Sequence, residues 1–436
     1  MSENKQKFDT LKIRAGYDPK EHNYAVSVPI YQTASYDLGS TQRADRIVSY
    51  REDGWLYTRI NNPTVDVLEK RVAALDDAPA ALALSSGMAA ITYTLFALTE
   101  GGGRILTSPY LYGGSFDSYK SILPRFGINF DFSKNIENIK ELEKEIKPDT
   151  KAIFVESISN PNGALADIPV LAELAHKHNI PLIVDNTVAT PYLFNPFKHG
   201  ADIVIYSATK ALSGHGNVIA GLIVDGGKFK WNKEKFPQFH KKHYTLRDEE
   251  GNSRSYLDVF GDTAFIGKAR MDYLNYFGSA LSPFDAYLVL IGIETLSERI
   301  EKHVANTKKI LEYLEKSPHI KKIHHPTLQS SPYNELSKKY FPKGAGSILS
   351  FEIKGGKERG QKFIDALEIF TYLANLGDAK SLVIDPFKVT HGELTDDDLE
   401  LAKIPLNLIR LSVGLEDARD LIADLEQAFE KTADYK

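Results

Sequence analysis

Ile203-Val204-Ile205-Tyr206-Ser207-Ala208-Thr209-Lys210 joins a short apolar run to two hydroxyls and an amine. A run of that length with β-branched residues reads as a buried strand. Gly200-Ala201-Asp202 bounds it upstream, and Ala211-Leu212-Ser213-Gly214-His215-Gly216 follows it with mostly small residues. Open α/β sheets bind ligands outside the carboxyl ends of their strands, which is where Lys210 falls. Ser207 and Thr209 offer hydroxyls to an anion beside the amine. A lone lysine at a strand end is ordinarily a solvated surface residue, so the rest of the chain decides its meaning.

Strand-like runs recur at 80–84, 104–107, 128–132, 151–155, 181–184 and 219–224, with helix-like stretches such as 169–178 between most of them. This alternation predicts an α/β fold: a mostly parallel seven-stranded sheet with helices on both faces. Asn62-Pro63 opens the first strong helix, because asparagine suits the cap and proline lacks only an N–H that the first turn cannot use. Residues 1–61 have no strong periodicity and read as an arm lying across another surface, that of a second subunit included. From 226 to 270 the alternation breaks in a lysine-rich excursion, of a length usual for lids and disordered loops. Ser282-Pro283 opens a long helix with Leu288, Ile291, Leu296, Ile300, Ile310 and Leu314 on its apolar face. Short strands at 348–353 and 408–412 and a last helix over 415–429 predict a smaller α+β domain. The expected division is an arm over 1–61, a large domain over 62–285 and a small domain over 286–436.

The 436 residues carry 58 acidic and 53 basic side chains, a net charge of −5, which gives no general attraction to nucleic acid or anionic lipid. Cysteine is absent, so disulfides, thiolate nucleophiles and cysteine metal sites are excluded. No apolar run approaches the roughly 20 residues that span a bilayer, and Met1-Ser2-Glu3-Asn4-Lys5-Gln6-Lys7 lacks the apolar core of a signal peptide. A cytoplasmic enzyme without a membrane partner is the expectation. His324-His325 and His391 show no metal-ligand spacing. His215 reads as a loop histidine, Tyr206 as core, and Gly101-Gly102-Gly103 as a turn.

Chemistry gathers at the strand ends. Asp185 closes the 181–184 strand, 25 residues before Lys210. That is about one βαβ unit, so both reach the same sheet edge. Taken alone, Asp185 reads more readily as a helix cap or a salt-bridge partner. Ser85-Ser86-Gly87-Met88-Ala89-Ala90 links a strand to a helix, whose free N–H groups and dipole suit a phosphate. Glu156, Ser159 and Asn160 follow another strand, and Tyr112-Gly113-Gly114-Ser115 follows a third. An amine, a carboxylate, an aromatic face, an amide and an anion seat are what pyridoxal 5'-phosphate requires. The lysine bonds its aldehyde, and the acid keeps a proton on its ring nitrogen.

These residues resemble the cysteine/methionine-metabolism family of pyridoxal-phosphate enzymes, of the aspartate-aminotransferase-like fold (fold type I). The resemblance spans nearly the whole chain. It is carried by Val28-Pro29-Ile30-Tyr31-Gln32-Thr33, Tyr57-Thr58-Arg59-Ile60-Asn61-Asn62-Pro63-Thr64, Ser86-Gly87-Met88-Ala89-Ala90, Asp185-Asn186-Thr187, Ser207-Ala208-Thr209-Lys210 and Arg410-Leu411-Ser412-Val413-Gly414. It implies that Lys210 holds the cofactor and moves protons, and that Asp185 pairs with the pyridinium. Ser86, Gly87, Met88, Ser207 and Thr209 would hold the phosphate. Tyr112 would stack on the ring and assist as acid or base, with Asn160 on the ring oxygen. Tyr57 and Arg59 would reach the phosphate of a neighbouring subunit in a homo-oligomer, a tetramer built from dimers. Arg410 and Ser381 would bind the substrate carboxylate, with Glu156 also in the substrate site.

Within the family, the chain most resembles the branch that takes O-acetylhomoserine and sulfide to homocysteine and acetate in methionine biosynthesis. Gly114 stands where methionine γ-lyases usually carry cysteine. The excursion over 226–270, followed by Ala280-Leu281-Ser282-Pro283-Phe284, is also similar to the sulfhydrylases. Met88 departs from the glutamine that many of them have. Methionine γ-lyase, cystathionine γ-synthase and cystathionine γ-lyase chemistry thus stay open as alternatives, as does methanethiol as acceptor.

Overall fold

The computed structural model describes residues 6–100, 102–390, 392 and 394–435, so Gly101 and His391 lie outside the described residues. Seven strands form one sheet: β1 (Ala80–Leu84), β2 (Gly103–Thr107), β3 (Ile128–Phe132), β4 (Thr150–Glu156), β5 (Leu182–Asp185), β6 (Ile203–Ser207) and β7 (Gly221–Asp225). Their order is β1-β7-β6-β5-β4-β2-β3. From β3 to β6 all pairings are parallel, while β7 runs antiparallel to both β1 and β6. The mostly parallel sheet expected from the alternation is present. Ile153, Phe154 and Val155 are all fully buried, because helices cover both faces of the central strands. The helix Pro63–Asp76 begins as its cap requires, with the Asn62 side chain accepting the Thr64 N–H.

The excursion is packed rather than loose. Trp231, Phe236, Phe239 and Phe265 bury their rings behind the sheet. Gln238 Nε2 donates to Ala97 O (3.1 Å) and Leu98 O (2.9 Å) at the end of the helix Gly87–Thr99. A hairpin of β8 (Lys242–Arg247) and β9 (Ser253–Ser255) follows. Lysines alternate with these aromatics in the sequence, so the stretch reads as a charged surface although its rings form core.

The long helix expected from Ser282 is two helices, Pro283–Glu294 and Leu296–Leu314. Ala286, Val289, Leu290 and Ile293 face inward, and Ile291 is exposed. At the break, the Arg299 guanidinium donates to Gly292 O (2.6 Å), Ala211 O (2.8 Å) and Leu212 O (3.2 Å). The helix junction is thereby tied to the loop that follows Lys210. Leu296 and Ile300 belong to the large core, whereas Ile310, Leu311 and Leu314 belong to the core of a second sheet. That sheet holds β10 (Ile320–His324), β11 (Ile348–Ile353), β12 (Thr371–Tyr372), β13 (Leu382–Ile384) and β14 (Leu408–Ser412), in the order β10-β11-β14-β13-β12. The expected boundary at 285/286 therefore falls inside a helix, and the cores part along Leu296–Leu314.

The arm begins on its own chain. Phe8, Leu11 and Tyr17 pack against the large core and Val28 is buried in it. The buried Lys12 amine is bonded to Glu298 at 2.6 Å. Farther on the arm is open, with Tyr57 40% exposed. Among the described residues no helix is long and apolar enough to cross a membrane.

Candidate active site

The carboxyl ends of β4, β5 and β6, the turn after β1, and residues 374–376 and Arg410 of the second sheet's side enclose a cavity of about 260 Å³. Lys210 lies half-buried just past β6, and its Nζ donates to Asn375 Oδ1 at 2.8 Å. Burial lowers the Lys210 ammonium to about 8, and Arg410 pushes the same way. The uncharged amine, the form a nucleophile needs, is thus accessible near neutral pH.

Asp185 ends β5, opposite Glu156 in the strand register. Its Oδ1 accepts the Thr187 N–H at 3.0 Å. Burial pushes the Asp185 carboxyl up, against the lowering effect of its bonds from Thr187. A cation seated beside it, such as a ring N–H⁺, would reverse that shift.

The turn after β1 is built to receive an anion. The Ser86 side chain accepts the Ala89 N–H and its carbonyl accepts that of Ala90, which leaves Gly87 and Met88 with the terminal donors at the cavity they line. A Cβ on Gly87 would stand 2.8 Å from that of Ser207, so only glycine lets the two turns approach. The Ser207 N–H donates to Thr187 Oγ1 (2.8 Å), and its hydroxyl lines the cavity. Thr209 also lines it, with its hydroxyl tied to the backbone of Ala220.

Arg410 is 2% exposed, and burial draws its guanidinium down to about 10. Nη1 donates to Asn160 Oδ1 (2.9 Å) and Nη2 to Asn375 O (2.6 Å), while Nε is itself buried without a partner among the described residues. A guanidinium at the cavity wall suits a carboxylate. Tyr112 is 43% exposed at the mouth.

Four expected residues have distinct surroundings. Ser381 is fully buried at the start of β13 and does not line the cavity. Its hydroxyl donates to Glu416 and accepts the Gly414 N–H, both at 2.8 Å, so it has no free group for a substrate. Tyr57 and Arg59 lie outside the cavity of their own chain. Arg59 stacks over the Tyr57 ring and donates to Asn275 O (2.8 Å), beside a shallow hollow lined by residues 278–283. Glu156 lines the cavity but directs its carboxylate at backbone N–H groups, Tyr112 at 2.6 Å and Asn160 at 3.2 Å. His215 is an exposed loop residue with Nδ1 near Ser213 O (2.7 Å), and Tyr206 is core, its hydroxyl donating to Asp76 at 2.9 Å.

Asn375 and Thr187 escape the sequence reading. Asn375 had a signal: Gly377, two residues on, has φ +66°, and a Cβ there would fall 2.8 Å from the backbone of Ala211. A glycine demanded by that approach marks the loop that touches the lysine turn. Thr187 lies two residues past Asp185, where its hydroxyl fixes the Ser207 turn.

The chain matches the family of Cys/Met metabolism PLP-dependent enzymes over residues 9–430. It belongs to this family. It is 42% identical to a homocysteine synthase of Schizosaccharomyces pombe, with 97% of this chain and 98% of that protein covered. It is also 42% identical to an O-acetyl-L-homoserine sulfhydrylase of Leptospira meyeri, with 96% of each covered. A crystal structure described as an O-acetylhomoserine (thiol)-lyase of Campylobacter jejuni superposes with a TM-score of 0.92 at 38% identity, over 98% of this chain and 100% of that one. That structure carries a pyridoxyl-lysine monophosphate. The residues present here fit pyridoxal phosphate as the family's cofactor: a half-buried amine, a buried acid, and a helix terminus whose glycine leaves the donors accessible.

Proposed function

We propose that this chain catalyses γ-replacement on O-acetyl-L-homoserine, taking up sulfide and releasing acetate to give L-homocysteine, a step of methionine biosynthesis. The observation that carries this reading is the cavity in which the Lys210 amine and Asp185 stand with Arg410 at its wall. The likeness to proteins named for this reaction supports it. Bound pyridoxal phosphate supplies the electron sink that lets protons leave carbons α and β of an amino acid. Asp185 keeps the ring nitrogen protonated. Arg410, at the cavity wall, binds the substrate carboxylate. Lys210 leaves Asn375 to move protons at Cα and Cβ, and Tyr112 lies at the mouth as a further acid or base.

Charge at the cavity bears on the acceptor. Among the described lining residues only Lys210 and Arg410 are cationic. With Arg410 on the carboxylate of O-acetylhomoserine, no further arginine or lysine besides Lys210 remains among the described lining residues for a second amino acid such as cysteine. That favours sulfide, or a small thiol such as methanethiol, over cystathionine chemistry. We also infer that Tyr57 and Arg59 serve the phosphate seat of a neighbouring copy in a dimer-built homo-oligomer. Their exposed position outside their own cavity supports this.

The deciding experiment supplies purified protein and cofactor with O-acetylhomoserine and sulfide, and separately with methionine alone. Homocysteine and acetate should form in equal amounts in the first. Oxo-acid released from methionine at an equal or higher rate would refute the sulfhydrylase reading.

A further inference from the structure

Glu156 ends β4, only 8% exposed. Its two oxygens are both engaged by backbone donors. Oε1 accepts the Tyr112 N–H at 2.6 Å and Oε2 the Asn160 N–H at 3.2 Å. These two residues both line the cavity and belong to loops after different strands. From Asn160 the chain of bonds continues. Arg410 Nη1 donates to Asn160 Oδ1 (2.9 Å), Arg410 Nη2 to Asn375 O (2.6 Å), and Lys210 Nζ to Asn375 Oδ1 (2.8 Å). One connected network thus runs from the aromatic at the mouth to the lysine, with Glu156 its only carboxylate.

Behind Glu156 lies a second cavity of about 220 Å³, bordered by Ser108, Tyr110 and Tyr333. The carboxylate is therefore a wall as well as a clamp. Burial and the neighbouring Asp185 push the Glu156 carboxyl up, while its bonds from the Tyr112 and Asn160 N–H groups pull it down; those bonds fix the backbone rather than one rotamer. In register beside it stands Asp185.

We propose that Glu156 is the positioning residue of this site: by holding Tyr112 N–H and Asn160 N–H at once, it sets the Tyr112 ring over the cofactor and, through Asn160, aims Arg410 at the substrate carboxylate. It acts through these two backbone donors rather than as an acid or base. The substrate named in the test rests on the sulfhydrylase reading above; the role of Glu156 toward the cofactor does not.

Glu156→Gln keeps the shape and the wall but replaces one acceptor with an amide that faces an N–H donor. In the holoenzyme, compared at equal cofactor content, two readouts follow. The visible circular dichroism of the bound cofactor should change, because the Tyr112 ring shifts. KM for O-acetylhomoserine should rise about tenfold with a smaller fall in kcat, the size expected for one lost buried hydrogen bond. Glu156→Asp keeps both oxygens one methylene short and should recover part of each change. If Glu156→Gln does not fold, Glu156→Asp is measured alone, with a raised KM and altered dichroism expected. Wild-type dichroism together with KM within twofold of wild type, or a fall in kcat at constant KM, would overturn the proposal. The dichroism arm needs only the cofactor. Altered dichroism in a protein that makes no homocysteine would therefore support Glu156 and sink the sulfhydrylase reading instead.

Discussion

The strand-end wall and the Tyr57–Arg59 surface are opposites in construction. At the wall the charged groups are held by their own chain: Asp185 by Thr187, Glu156 by two backbone donors, Lys210 by Asn375. The donors of the Gly87 turn are left for a ligand at the cavity that Gly87 and Met88 line. The Tyr57–Arg59 surface is exposed, and its arginine is occupied only by a ring and one carbonyl. Preorganised donors cost no rearrangement when a ligand arrives, whereas a solvated arginine gains little until a partner dries it. On the proposal above, chemistry resides in the wall, and the exposed surface acts only when a second copy brings it to a phosphate.

Four substitutions or conditions sharpen that contrast, beginning with the largest effect. Lys210→Ala should abolish the visible band near 420 nm and lower turnover by about 10³-fold or more, the scale of a lost acid–base group. Steady-state assays with and without added amine separate loss of the proton carrier from loss of folding. Arg59→Ala should leave the fold and melting temperature intact but weaken cofactor retention by about 10- to 100-fold, as expected for a charge-assisted phosphate contact. Dialysis followed by the visible band measures it, and unchanged retention would detach Arg59 from the site.

The pH dependence follows from Lys210. Its ammonium sits near 8 when folded, below the ordinary lysine value. Below that pH the protonated form dominates and cannot attack an aldehyde, so capture of cofactor by the cofactor-free protein should slow about tenfold per pH unit. Above it the rate should level off. Stopped-flow absorbance reads the midpoint, and a midpoint near 10 would mean that burial does not set the amine. The smallest effect belongs to Asn375→Ala, which removes the acceptor from Lys210 and should alter capture by only a few-fold, about the weight of one hydrogen bond.

Much of the wall was legible because strand ends bring distant residues to one edge. The runs ending at Asp185 and at Ser207 carry their own periodicity, and Lys210 and the Ser86 turn follow from them. Asn160 and Met88, expected at the cofactor, likewise line the cavity. What could not be read was orientation. Whether a carboxylate turns toward substrate or toward backbone depends on loops set by tertiary contact, and the bonds of Glu156 to Tyr112 and Asn160 N–H have no sign in the sequence. The same holds for Ser381: nothing local announces that Glu416, from beyond the last strand, occupies its hydroxyl. The aromatics among the lysines of the excursion and the helix break held open by Arg299 are likewise long-range effects that a helical or strand period cannot carry.

The central claim is that the working centre joins the wall of one chain to the Tyr57–Arg59 surface of another. Mixing inactive Lys210→Ala with weakened Arg59→Ala protein, after dissociation and reassociation at low cofactor, tests it directly. Half of randomly paired dimers would be mixed, and one of the two sites in each would be intact, so about a quarter of wild-type activity should return. No activity beyond the sum of the two separate proteins would contradict the claim.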